Sequence, residues 1–275
     1  MITVTTESRN LDSNRKHTQQ RPVRFRLLKL VAASLLRSWP VRFATGLAFG
    51  NRGVPFRGTR IRTERRLSYA GPLLLTGKYE RAEIDFVRRY LPRNLDVLEL
   101  GASIGANSCQ IAKHLEPGRR LTSVEANPAL MHVLRTNLAS NVPARQVQVI
   151  HAIVGEEVGT AYFSPRQNSL VSRASDAEAG SVELRRETLA SLVAKHCPGQ
   201  FSLVSDIEGA EAAFLGDTES LSRCRFMIIE AHPAQQGDQA LSIEQVIALP
   251  LRHGHWRVKD RYGAVVAYER CSHGP

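Results

Sequence analysis

The chain has 275 residues, 43% of them hydrophobic but only 6% aromatic, and a formal net charge of +11. That length holds one large α/β domain plus an extension, with enough aliphatic material for a substantial core. The charge is confined to one end: residues 1–66 carry 15 Lys and Arg against 3 Asp and Glu, whereas residues 67–275 carry 22 against 23, and this near-neutral body argues against nucleic acid as a partner.

Cys109, Cys197, Cys224 and Cys271 are widely spaced, with no Cys-x-x-Cys, which predicts reduced thiols in a reducing, cytoplasmic setting. His253 and His255 lack a nearby acid or thiol, so a turn before a strand outweighs a metal site.

Residues 1–20 are polar and aperiodic and are expected to be disordered. In residues 21–51 aliphatic side chains interleave with Arg21, Arg24, Arg26, Lys29, Arg37 and Arg42, which predicts a basic amphipathic helix broken near Pro40. Its uncharged runs fall well short of the roughly 20 residues that span a bilayer. Two meanings stay open for it: an anionic membrane surface lying against it, or a helix packed on the main domain. Around Ile61, alternating Arg60 and Arg62 suit a β-strand or a hairpin edge. Residues 1–70 thus read as a basic N-terminal extension, and the main domain is expected to run from 71 to 275.

Within that domain a helix is predicted at 79–91, a strand at 96–100, a helix after Gly105, a strand at 120–125 and a helix at 127–141. Further on come a strand at 147–151, a hairpin arm at 159–164, a helix at 187–196, strands at 201–206 and 226–231, and a helix at 242–249. Two strands, 256–258 and 264–268, close the chain. The alternation of strands and helices predicts a mostly parallel, seven-stranded α/β sheet with an antiparallel closing hairpin.

The chemistry is concentrated where strands end. Glu99-Leu-Gly101-Ala-Ser-Ile-Gly105 ends one apolar run in an acid and a glycine turn, and a second run ends in Glu125-Ala-Asn-Pro128. Such glycines permit close backbone approach to a ligand, and an acid at the next strand tip can grip ribose hydroxyls. A phosphate-cradling P-loop is excluded because no lysine lies between Gly101 and Lys113. A dinucleotide loop is disfavoured because Ser103 stands where its second glycine belongs, and no tyrosine has a lysine four residues on. The spacing that remains is the acid-x-Gly-x-x-x-Gly loop of S-adenosylmethionine enzymes.

Further on stand Asp206-Ile-Glu208-Gly-Ala-Glu211 and Glu230-Ala-His232-Pro233. With the glycine loop and Glu125-Ala126-Asn127-Pro128, these blocks resemble the FkbM family of S-adenosylmethionine-dependent O-methyltransferases over roughly residues 78–232. The resemblance implies a class I methyltransferase-like Rossmann fold. It implies that Glu99, Gly101, Ala102, Ser103, Gly105 and Asn107 lie around the methionine end of the cofactor. Glu125, Ala126 and Asn127 would take the ribose, His151 and Ala152 the adenine side, and Asp206 would face the sulfonium. Asp206, Glu208, Glu230 and His232 form the expected catalytic set, with Asp206 orienting or deprotonating an acceptor hydroxyl. Glu211 reads equally well as an acid favoured at a helix N-terminus. The reaction requires no metal. The acceptor is expected to be a sugar, glycolipid or secondary metabolite; the oligomeric state stays open. Competing readings are a nucleotide-cofactor oxidoreductase on the same sheet and a methyltransferase-like protein that binds without catalysing.

Overall fold

The computed structural model describes residues 38–49, 52–63, 70–163 and 181–271. The expectations for residues 1–20 and for most of 21–51 therefore lie outside the described residues. What is described of the latter is helix α1, Trp39–Phe49, in which Pro40 occupies the first turn, where no intrahelical N–H is required.

Strands β1 (Val54–Phe56) and β2 (Thr59–Ile61) form the hairpin expected at the arginine-rich connector. Its turn residues Arg57 and Gly58 both have positive φ, as a two-residue hairpin loop with matching twist requires. Arg60 points to solvent, while Val54, Phe56 and Ile61 are buried in the main core. Helix α2 (Ala70–Leu75), which the sequence does not announce, follows, and then α3 (Arg81–Tyr90).

The main sheet comprises β3 (Asp96–Leu100), β4 (Leu121–Glu125), β5 (Val147–His151), β9 (Phe201–Ser205), β10 (Cys224–Glu230), β13 (Trp256–Tyr262) and β14 (Val265–Arg270). Their order is β13-β14-β10-β9-β3-β4-β5; all pairings are parallel except those of β14 with β10 and with β13. This is the predicted fold. The strands alternate between two cores: Val97, Val204 and Ile228 face one side, and Leu98, Leu203 and Ile229 the other. The first side is covered by α3, α4 (Ala106–His114) and α5 (Met131–Asn141), whose Asn137 and Asn141 bond the β2 edge through Arg60 and Arg62 backbone groups at 2.8–3.0 Å. The second is covered by α6 (Leu189–His196) and α8 (Ile243–Ala248).

A small side sheet joins β6 (Ile153–Val154), β7 (Gly159–Phe163) and β8 (Val182–Glu187). The arm expected at 159–164 is β7; Glu187, assigned to a helix in the sequence, ends β8, and Thr188 caps α6 in a reciprocal capping box with Ser191. The four cysteines are free thiols, three of them buried. Among the described residues no helix is long and apolar enough to cross a membrane.

Candidate active site

Strand order reverses between β3 and β9, and ligands of open α/β sheets bind at the carboxyl ends of strands flanking such a switch. There the Asp206 N–H donates to Leu100 O at 2.9 Å, tying the loop after β9 to the glycine loop after β3. Gly101 has φ +85°, and a Cβ on it would lie 1.8 Å from the Asp206 carbonyl oxygen. The glycine is therefore demanded by a crossing of two loops. The missing side chain makes room for the Asp206 carbonyl rather than for a ligand.

Ser103, at the position where a dinucleotide loop has glycine, adopts the left-handed conformation with φ +50°. Its N–H donates to Glu125 Oε2 at 2.7 Å, and the Asn127 N–H donates to Glu125 Oε1, also at 2.7 Å. Glu125, at the tip of β4, thus clamps the two loops that flank the switch. Burial raises its pKa, and hydrogen bonds from the backbone N–H groups of Asn127, Ser103 and Ala126 oppose that shift.

Beside it, buried Glu99 accepts from Ser123 Oγ at 2.6 Å through Oε2, while Oε1 has no partner; burial pushes its pKa up to about 7. Asn107 Oδ1 is also buried without a partner. His151 Nε2 lies 3.2 Å from Ala126 O, and the buried Ala152 donates its N–H to Glu125 O at 3.2 Å. Ala152 therefore fixes the loop through its backbone.

The expected catalytic residues converge on Asp206. Glu208 sits in the left-handed region at φ +56°, and the next residue, Gly209, has φ +106°, where a Cβ would come within 2.8 Å of Pro233 O. That contact packs the Asp206–Glu211 loop against the Glu230–Pro233 exit of β10. His232 then reaches Glu211 Oε1 through Nδ1 at 3.0 Å, while Nε2 lies 3.5 Å from Glu208 Oε2 and 3.8 Å from Asp206 Oδ1. On the other side Asp206, Glu230 and Glu83 bring carboxylate oxygens within 4.8 Å of one another.

Three residues here were not in the expected catalytic set. Glu211 is fully buried and accepts from His232 and from the Ile207 N–H; the helix after it, α7, has only four residues (Ala212–Leu215), and Glu211 makes no cap bond to it. Glu83 is buried on the apolar face of α3 with Ile84 and Val87, and Glu80 lies at that helix's start in a left-handed conformation. A carboxylate on the apolar stripe of α3 was the sequence signal for Glu83.

Burial, then the negative charge of Glu230, raises the Asp206 pKa to about 7. Burial and a hydrogen bond with Glu230 push Glu83 up as well. The Glu211 carboxylate raises His232 to about 9.

The methyltransferase FkbM domain matches residues 99–259, more than half of the chain. A search of the curated proteins returns no match. Among solved structures, the O-methyltransferase TomG from Streptomyces achromogenes, in complex with S-adenosylmethionine, is 12% identical with TM-score 0.44, over 90% of this chain and 96% of that one. Fibrillarin from Aeropyrum pernix, with natively bound S-adenosyl-L-methionine, is 15% identical with TM-score 0.40, over 69% and 73%. A ribosomal protein L11 methylase from Lactobacillus delbrueckii subsp. bulgaricus is 14% identical with TM-score 0.41, over 70% and 79%. The chain belongs to the FkbM family of methyltransferases, enzymes whose methyl donor is S-adenosylmethionine.

Proposed function

We propose that the enzyme methylates a hydroxyl oxygen of a sugar, glycolipid or secondary metabolite. The observation that carries this reading is Asp206, set at the sheet's switch point with a pKa near 7 and flanked by Glu230 and His232. A carboxylate poised near neutral pH is suited to hold an alcohol and take its proton. S-adenosylmethionine, when bound, supplies a methyl group already activated on sulfur. Glu125, Ser103 and Asn127 would hold its ribose end, Glu99 and Asn107 its amino-acid end, and His151 and Ala152 would border the base. Asp206 aligns the hydroxyl, which supplies much of the rate advantage for a transfer between two bound partners. His232, held by Glu211, faces Asp206 and Glu208 with Nε2 and balances their charge.

The test is a panel of sugar, glycolipid and polyketide alcohols incubated with methyl-labelled cofactor. The expected product is a labelled methyl ether that survives mild alkali, formed more slowly by Asp206→Asn by about 10²–10⁴-fold. Label released by alkali as from an ester, or carried on nitrogen, would refute the O-methylation reading.

An anionic membrane surface is proposed as the partner of the N-terminal extension. On α1, Trp39, Phe43 and Leu47 are 70%, 52% and 73% exposed, one helical turn apart. The Trp39 and Phe43 rings stack at 5.2 Å. Such an apolar stripe in a segment whose sequence is strongly basic favours a lipid interface over open water.

A further inference from the structure

We propose that Asp206, Glu208 and His232 form a binding site for a divalent cation in the acceptor cleft, a reading that deepens the O-methyltransferase function and rests on it. One carboxylate or imidazole atom from each of the three lies within 4.8 Å of the other two. His232 Nε2 is 3.5 Å from Glu208 Oε2 and 3.8 Å from Asp206 Oδ1. A small cation held at about 2.1 Å from each ligand puts adjacent donors about 3 Å apart and opposite donors about 4.2 Å apart, a range that contains both separations.

A second observation points to a ligand. Glu211 is 0% exposed and aimed into this cluster, with Oε1 on His232 Nδ1 and Oε2 without any partner; Asp206 Oδ1 has no hydrogen-bond partner either. A carboxylate behind a histidine is the arrangement that orients the imidazole of metal ligands: Nδ1–H is committed to Glu211, and Nε2 coordinates once the cation displaces its proton. Two oxygen donors and one nitrogen donor suit magnesium, manganese or zinc more than a soft metal. The side chains of Glu208, Asp206 and His232 are 61%, 33% and 21% exposed, so the cleft leaves coordination positions for water or for an acceptor oxygen.

Such a cation would polarise the bound hydroxyl as a Lewis acid. The O–H bond breaks and the proton passes to the free Asp206 oxygen; the oxygen lone pair would form the bond to the methyl carbon as the methyl–sulfur bond breaks, its electron pair going to the sulfonium sulfur and S-adenosylhomocysteine leaving. No electrons change hands beyond that displacement.

The full chain, stripped with chelator, is titrated with Mn²⁺ alone and followed by the loss of the free-ion paramagnetic resonance signal. Binding of S-adenosylhomocysteine is measured in parallel by calorimetry. The expected result is a single saturable Mn²⁺ site, weakened about 10–100-fold in Glu211→Gln and at least as much in Glu208→Gln and His232→Gln. Glu116→Gln, an exposed acid elsewhere, should retain the site. Glu208→Gln keeps the test decisive should Glu211→Gln fail to fold, since Glu208 is largely exposed. Absence of saturable binding, or equal binding by Glu208→Gln and the parent, overturns the proposal. Loss of Mn²⁺ binding alongside intact S-adenosylhomocysteine binding sinks the cation site and leaves the enzyme reading standing. A Mn²⁺ site in a chain that ignores S-adenosylhomocysteine does the reverse.

Discussion

Replacing Glu125 with Gln removes one charge and half of a clamp. The parent carboxylate accepts from Ser103 N–H and Asn127 N–H, both at 2.7 Å, in a buried position. A glutamine offers a single carbonyl oxygen, so one backbone N–H would face the amide NH₂ instead of an acceptor. Charge-assisted hydrogen bonds contribute about 1.5–3 kcal/mol each, and an orphaned buried donor costs about as much. Burial of the carboxylate, which raises its pKa, offsets part of this. A net loss of about 1.5–3 kcal/mol follows. At about 2–4 °C per kcal/mol for a domain of this size, Tm should fall by about 3–12 °C in calorimetry. S-adenosylhomocysteine affinity should fall too, because the loop after β3 and the loop after β4 lose their common anchor. A variant with parental Tm and parental affinity would refute the claim that Glu125 organises the cofactor loops.

Gly101→Ala should abolish folding or S-adenosylhomocysteine binding, since its Cβ would meet the Asp206 carbonyl at 1.8 Å; Gly199→Ala, with no atom within 4 Å of the new Cβ, should be parental by circular dichroism. Burial raises the Glu99 pKa to about 7, above its unfolded value of about 4.3, so its contribution to stability is full below about pH 4 and is lost as pH rises through 7. In chelator-treated buffer this group should therefore lower Tm between about pH 4.5 and 7.5, and Glu99→Gln should flatten that decline; an identical slope in the variant would contradict the assignment. Replacing Trp39, Phe43 and Leu47 together with Ser should reduce sedimentation with anionic vesicles, and the parent's binding should weaken with salt; equal sedimentation of both proteins would remove the membrane proposal.

Local patterning was enough to place the strands of the main sheet and the helices between them. Continuous apolar runs such as Val97–Leu98 and Phe226–Ile229 can be satisfied only by a sheet buried on both faces, and glycines or caps mark where each run stops. The same short-range chemistry singled out Glu125, Asp206, Glu230 and His232, because acids and a histidine at strand tips stand out against apolar neighbours. The weak elements were those whose identity depends on a distant partner: β8 exposes Glu183 and Arg185 and becomes a strand by pairing with β7, 19 to 27 residues earlier by register. The reason for a residue was also hidden where contact is long-range. Gly101 is required by Asp206 and Gly209 by Pro233, pairs that no local spacing reveals. Glu83 and Glu211 are ordinary helix-associated acids in the sequence. Only the folding of α3 and of the loop after β9 against the exit of β10 removes them from water and turns them toward Glu230 and His232, where their charge acquires a chemical role.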